Sequence, residues 1–194
     1  MADFARLTEN KTYTIEDVMA LPDGQRAELI DGHWYDMATP LRIHQDIVSI
    51  LTWKFNEHIS KKGGNCKVYP APFAVFLNKD NRNYLEPDIV VVCDPGKLSD
   101  RGCEGAPDLV VEVVSPSTRR RDYAIKLFKY RTAGVREYWI INPDTKTINS
   151  YLFSPEDEDS EQADQISFDE KLVSGIYPDF EVTLAELIYG YSAK

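Results

Sequence analysis

The 194-residue chain has few of the residues that build metal or disulfide scaffolds. Three cysteines occur, Cys66, Cys93 and Cys103, and none belongs to a CxxC pair. An odd, scattered set argues against a disulfide framework and against a zinc site; buried or incidental thiols in a reducing compartment are the expectation. The three histidines have no evident triad partners and GxSxG is absent, which disfavours a hydrolase acting through a nucleophilic side chain. GxxxxGKS/T and GxGxxG are missing too, so nothing points to a P-loop or dinucleotide enzyme. No apolar run approaches membrane-spanning length, and the opening MADFARLTENK lacks the basic-then-apolar pattern of a signal peptide. A cytosolic protein is expected. Internal repeats and long Gly/Ser linkers are also lacking, and the length fits one domain over residues 1–194.

Positive charge is scarce overall, with a formal net charge of −10, but the deficit is local. The segment 154–170, SPEDEDSEQADQISFDE, holds eight acids and no Lys or Arg, so the rest of the chain carries only −2. Its most acidic part, about 154–165, reads as a solvated loop. RRRDYAIKLFKYR, residues 119–131, has six basic residues against one acid. A local basic face for nucleic acid is therefore available despite the total.

What is present is a regular alternation of helical and extended patterns. TIEDVMAL opens with Thr14 and places Asp17 three residues on, the spacing of a capping box. RAELI and HWYDM flank Asp31-Gly32, a two-residue hairpin signal. Ile47, Ile50, Leu51, Phe55 and Ile59 recur at three- and four-residue spacing and predict a helix from about His44 to Ile59, ended by Gly63-Gly64. CKVYPAPFAVF, DIVVVCD and DLVVEVVS read as strands, the first bent or at an edge because of Pro70 and Pro72. A second long helix is predicted over 117–133, capped by Ser117 or Thr118 and stopped by Gly134, with Ala124, Ile125, Leu127 and Phe128 as its core side. REYWIINP and KTINSYLF suggest a hairpin, followed by a strand pair around 166–173 and a short helix TLAELIYG. The fold class is mixed α/β (α+β), a central sheet flanked by two main helices.

Within LVVEVVSPST a single carboxylate, Glu112, sits among valines. An ionised Glu in a strand covered on both faces is costly without a cation or a hydrogen-bond network. Asp88 opens the preceding strand in PDIVVV. Two neighbouring strands that each present one carboxylate form an oxygen site for a hard divalent ion such as Mg²⁺ or Mn²⁺, and a structural ion pair is the alternative.

These residues carry a resemblance. ELIDG, HQ, EPDIVVV, APDLVVEVVSPST, the KLFKY helix and GVREYWIINPD, in that order from about Tyr13 to Phe153, resemble the Uma family of restriction endonucleases, long filed as a domain of unknown function. That family is placed in the PD-(D/E)XK superfamily. The resemblance implies a restriction-endonuclease-like fold, a Mg²⁺- or Mn²⁺-dependent endonuclease acting on DNA, and a homodimer with the EYWII region as one contact. Asp88 and Glu112 match the metal pair, joined by the Val113 carbonyl. The superfamily's Lys two residues after the Glu is here Val114, and the family pattern moves the role to Lys126, with Lys129 as the alternative and Tyr130 one turn on. Glu28 resembles an extra acidic site residue, or is a polar residue on the outer face of a hairpin. His44 and Gln45 match the family's HQ and would touch phosphate or simply start a helix. Ser115, Ser117 and Thr118 would bind phosphate or cap, and Arg119, Arg120 and Arg121 would track a nucleic-acid backbone or line a solvated face. Trp139 and Tyr138 read as core or interface aromatics. A nuclease fold kept as an inactive nucleic-acid or protein-binding module is the competing reading, favoured by Val114 and by the acidic total.

Overall fold

The computed structural model describes residues 11–154 and 161–189. Thr14 and Asp17 start α1 (Ile15–Met19), the Thr14 N–H donating to Asp17 Oδ2 at 2.8 Å. β1 (Ala27–Ile30) and β2 (His33–Asp36) form the expected hairpin, and Asp31 and Gly32 take the positive φ values, 51° and 78°, that its tight turn requires. α2 (Arg42–Lys62) buries Ile47, Leu51, Phe55 and Ile59 and ends at Gly63 in the left-handed region. The CKVYPAPFAVF stretch is broken at a cis Ala71–Pro72 bond into β3 (Lys67–Pro70) and β4 (Val75–Phe76). Next come β5 (Ile89–Val92), β6 (Leu98–Ser99), β7 (Gly102–Glu104) and β8 (Leu109–Val113). A π-helical turn, Arg121–Lys126, runs directly into α3 (Leu127–Ala133), which Gly134 stops. β9 (Glu137–Asn142) and β10 (Thr147–Phe153) are the predicted hairpin, followed by β11 (Glu161–Ser167), β12 (Leu172–Val173), β13 (Glu181–Val182) and α4 (Leu184–Tyr189).

Among the described residues six strands form the central sheet in the order β11-β10-β9-β8-β5-β3, antiparallel except for the parallel pair β8–β9. One face packs Leu109, Val111, Val113, Trp139 and Ile141 against α2. The other packs Val110, Val114, Tyr138 and Ile140 beneath Tyr130 of α3. β8 and β9 are thus covered on both sides, which explains their nearly unbroken apolar runs.

Four expectations are corrected. The helix through 133 does not bury Ala124, Ile125 and Phe128: Phe128 is 64% exposed, and the inward groups are Asp122, Lys126, Lys129 and Tyr130. The EYWII strand is fully buried between β8 and β10, so it is core and offers no contact to a second copy. Cys66 and Cys93 are joined by a disulfide, because the β3–β5 register that pairs Lys67 with Val92 sets the two sulfurs opposite each other one step further on. Finally, residues 161–167 of the acidic stretch are a strand on β10, and the late strand pair is β12 with β13; residues 155–160 of the expected acidic loop lie outside the described residues. Among the described residues no helix is long and apolar enough to cross a membrane.

Candidate active site

The site lies where one end of the central sheet meets β1, the start of α2 and the helix that covers β8. Alternation along β8 turns Glu112 to the same side as Val110 and Val114, toward that helix. Asp88 precedes β5 by one residue, and extending the Ile89–Val111 register by one step sets it beside Glu112. Its Oδ2 accepts the Val113 N–H at 2.7 Å and contacts His44 Nε2 at 3.1 Å. Glu112 Oε1 accepts from Lys126 Nζ at 2.7 Å and from the Tyr130 hydroxyl at 2.8 Å. The lysine also donates to Glu28 Oε1 at 2.8 Å and stands 3.8 Å from Asp122.

The π-helical turn explains how a helix delivers so much charge inward. Its wider winding rotates the following residues around the axis, so both Asp122 and Lys126 face the sheet while Ile125 turns to solvent. Tyr130, four residues beyond Lys126, follows on the same side.

Burial raises the Glu112 carboxyl well above its ordinary range, opposed by the Lys126 charge and reinforced by Asp122, Asp88 and Glu28. Burial raises Asp122 as well. Desolvation alone would lower Lys126, but Glu112, Glu28 and Asp122 outweigh it and hold the amine above its usual value, so it is an ammonium at neutral pH. His44 is likewise raised: burial works against its charge, and the hydrogen bond and charge of Asp88 prevail.

The other expected site residues divide. Glu28 is fully buried beside Lys126 and also accepts the Glu86 N–H, which excludes the outer-face position. Lys129 goes elsewhere, to Asp31 in the hairpin turn, so Lys126 is the lysine that meets Glu112. His44 is drawn to Asp88, and Gln45 contacts its Nδ1 at 3.2 Å. Ser115, Ser117 and Thr118 hydrogen-bond one another, with the Thr118 hydroxyl accepting the Ser115 N–H; they close the turn that starts the helix. Arg119 and Arg120 are exposed, whereas Arg121 turns inward to within 3.7 Å of Glu28 and over the Tyr35 ring. Asp122 is the residue that sequence reasoning missed. Its signal was the four-residue spacing from Lys126 inside a predicted helix.

The donors suit a hard cation in one respect and not in another. Among the described residues no group of three or more His, Cys, Asp or Glu side chains is arranged to hold an ion, so Glu28 is a partner of Lys126 and does not complete a cage. Magnesium, however, takes one or two carboxylates and keeps its waters. The hydrogen bonds of Asp88 fall on Oδ2 and those of Glu112 on Oε1, so each side chain keeps a second oxygen with which it could hold an ion. A strand residue's N–H and C=O point to the same edge, so the Val113 carbonyl opens toward Asp88 as well. The residues present fit Mg²⁺ or Mn²⁺. Two surface clefts lie elsewhere, one between Asn78, Lys97 and Gly134 and one between His58, Cys66 and Tyr177.

A mixed six-stranded sheet between two helices, with one acid heading a strand, a second inside its neighbour and a lysine reaching in from the covering helix, is a restriction-endonuclease-like fold. Residues 15–185 match the model of the Uma2 family, described as "Putative restriction endonuclease", and the chain belongs to that family. A crystal structure described as "a putative nuclease belonging to DUF820", from Anabaena variabilis ATCC 29413, is similar with a TM-score of 0.71 at 17% identity, over 90% of this chain and 97% of that one; the likeness establishes the shared fold. An uncharacterized protein of Synechocystis sp. is 29% identical over 128 residues, 66% of this chain and 66% of its own length, so the match spans just under two thirds of that curated relative.

Proposed function

We propose that the protein is a metal-dependent endonuclease that hydrolyses phosphodiester bonds in DNA. The observation that carries this reading is the meeting of Asp88, Glu112 and Lys126 from three separate elements. Charge supports it as well. Four carboxylates, Glu28, Asp88, Glu112 and Asp122, stand against the cations Lys126 and Arg121, and His44 offsets them further only while protonated. A buried excess of acid is relieved by a bound cation.

A bound Mg²⁺ would supply neutralisation of the phosphate charge and an acidified water. The chain's own groups would arrange the rest. Val113 N–H and His44 fix the Asp88 carboxylate, and Tyr130 and Lys126 fix Glu112, so the pair is held ready for the ion and the water. Lys126, kept protonated, is unsuited to act as a base. Its role is to donate to the attacking water or to the non-bridging oxygen on which charge grows. In-line attack would leave a 5′-phosphate and a 3′-hydroxyl. The exposed Arg119 and Arg120, at the start of the same helix, would contact the backbone of the substrate. The test is cleavage of plasmid DNA with Mg²⁺ or Mn²⁺ by the parent, Asp88→Ala and Glu112→Ala. Loss of cutting in both folded variants supports the assignment, and cutting at the parent rate by both refutes it.

One observation favours an inactive nuclease-fold module. Glu112 and Lys126 are 5% and 2% exposed, so a phosphate reaches them only if the cluster opens. Titration with Mg²⁺ separates the readings, because a module without a metal site shows no saturable binding.

A further inference from the structure

We propose that the Cys66–Cys93 disulfide is a thiol-exchange site that accepts a low-molecular-weight monothiol, with Cys66 as the attacked sulfur and Tyr177 as the hydrogen-bond donor to the departing Cys93 sulfur. The bridge joins the edge strand β3 to β5. Neither half is sealed in the core: both cysteines are partly accessible, whereas Cys103 is buried and unpaired. Cys66 lines a cleft of about 310 Å³ between the end of α2 and the segment that leads to β13, together with His58, Lys62, Tyr177 and Asp179. That volume accommodates a small peptide-sized thiol. Cys93 is not part of the lining, so an incoming thiolate meets Cys66 first.

The Tyr177 hydroxyl touches both sulfurs, at 2.7 Å from Cys93 and 3.2 Å from Cys66. Neither bridged sulfur carries a hydrogen, so the tyrosine is the donor in both contacts. One O–H is shared between the two sulfurs, and the shorter contact marks Cys93 as the one it chiefly serves. Burial raises this hydroxyl to about 12, which keeps it a donor at neutral pH.

The exchange balances without an external oxidant. The incoming thiolate forms a new S–S bond to Cys66, the Cys66–Cys93 bond breaks, and Cys93 leaves with the electron pair as a thiolate that receives the Tyr177 hydrogen bond. A second monothiol then attacks the mixed disulfide, releasing the oxidised dimer of the thiol and a Cys66 thiolate. Exchange rates rise as the leaving sulfur is stabilised, which is what the tyrosine supplies.

The test uses the whole chain, purified in air. It is first treated with iodoacetamide without reductant. A second sample receives reduced glutathione for increasing times before quenching with excess N-ethylmaleimide, and adducts are mapped by peptide mass spectrometry. The expected result is no alkylation of Cys66 or Cys93 before reduction, then a first glutathione adduct on Cys66 with N-ethylmaleimide on Cys93. Tyr177→Phe should react about tenfold more slowly, the loss expected for a hydrogen bond to a charged sulfur. Free Cys66 and Cys93 thiols at the outset, or a first adduct on Cys93, would overturn the proposal irrespective of how the variant folds. A folded Tyr177→Phe protein that reacts at the parent rate would overturn the role of the tyrosine.

Discussion

Lys126 and Glu112, fourteen positions apart in the chain, meet through a 2.7 Å hydrogen bond, and both are almost completely shielded from water. Lys126 also holds Glu28, so one ammonium satisfies carboxylates from two strands, β1 and β8.

Replacing Lys126 by Met should therefore leave the buried Glu112 without its cation and Glu28 with Arg121 alone, 3.7 Å away. The expected destabilisation is roughly 3–5 kcal/mol, the range for breaking a buried ion pair from one side. Urea unfolding measures it. Lys129→Met, which removes only a partner of the half-exposed Asp31, should cost much less. Equal costs would contradict the different burial of the carboxylates that the two amines hold.

Metal binding should appear as stabilisation. With Mg²⁺ at about 100 times its dissociation constant the parent should gain about 2.7 kcal/mol against unfolding. Asp88→Asn and Glu112→Gln should each lose most of that gain, and a melting temperature in either variant that rises with Mg²⁺ as in the parent would remove these residues from the ion.

The His44–Asp88 contact has a pH signature. The folded protein holds His44 above its ordinary value of 6.5, so its stabilising contribution is complete below that value and fades as pH rises through the folded one. In metal-free protein, the stability difference between the parent and His44→Gln should be larger at about pH 5.5 than at about pH 8.5. Denaturant midpoints at the two pH values check the sign, and a difference that grows with pH would show that the charged imidazole is not what Asp88 favours.

Glu137 provides a structural contrast. Its carboxylate accepts from Trp139 Nε1, the Ser174 hydroxyl and the backbone N–H groups of Gly175 and Ile176, which ties β9 to the C-terminal segment. Glu137→Ala strands these donors and should destabilise by roughly 2–5 kcal/mol. DNA cleavage by the fraction that remains folded should be unchanged, because the residue stays on the α2 side of the sheet chemistry and touches none of the proposed site groups.

Much of the fold and part of the site were legible in the sequence because they rest on short-range signals. Asp31-Gly32, the spacing of apolar residues in α2 and the valine-rich strands each constrain local geometry directly. The odd placement of Glu112 was informative since burying a charge demands a partner. The covering helix misled for the same physical reason in reverse. Its inward face is made of Asp122, Lys126 and Lys129, so a rule that sends apolar groups inward exposes the wrong side, and the π-helical turn shifts the faces further. The Cys66–Cys93 bridge depends on the pairing of β3 with β5, which cysteine count and spacing do not encode. The burial of EYWII depended on β10 and β11 continuing the sheet beyond it.

The two borders of the central sheet have an implication for assembly. At one border stands β3, four residues long, begun by a lysine and closed by a proline that has no N–H to give. At the other stands β11, whose Asp164 would meet its own counterpart in a like copy paired about that residue. Both borders resist templating of another strand, the usual safeguard against runaway polymerisation. A second subunit would therefore have to approach through a helical or loop surface rather than by lengthening the ladder.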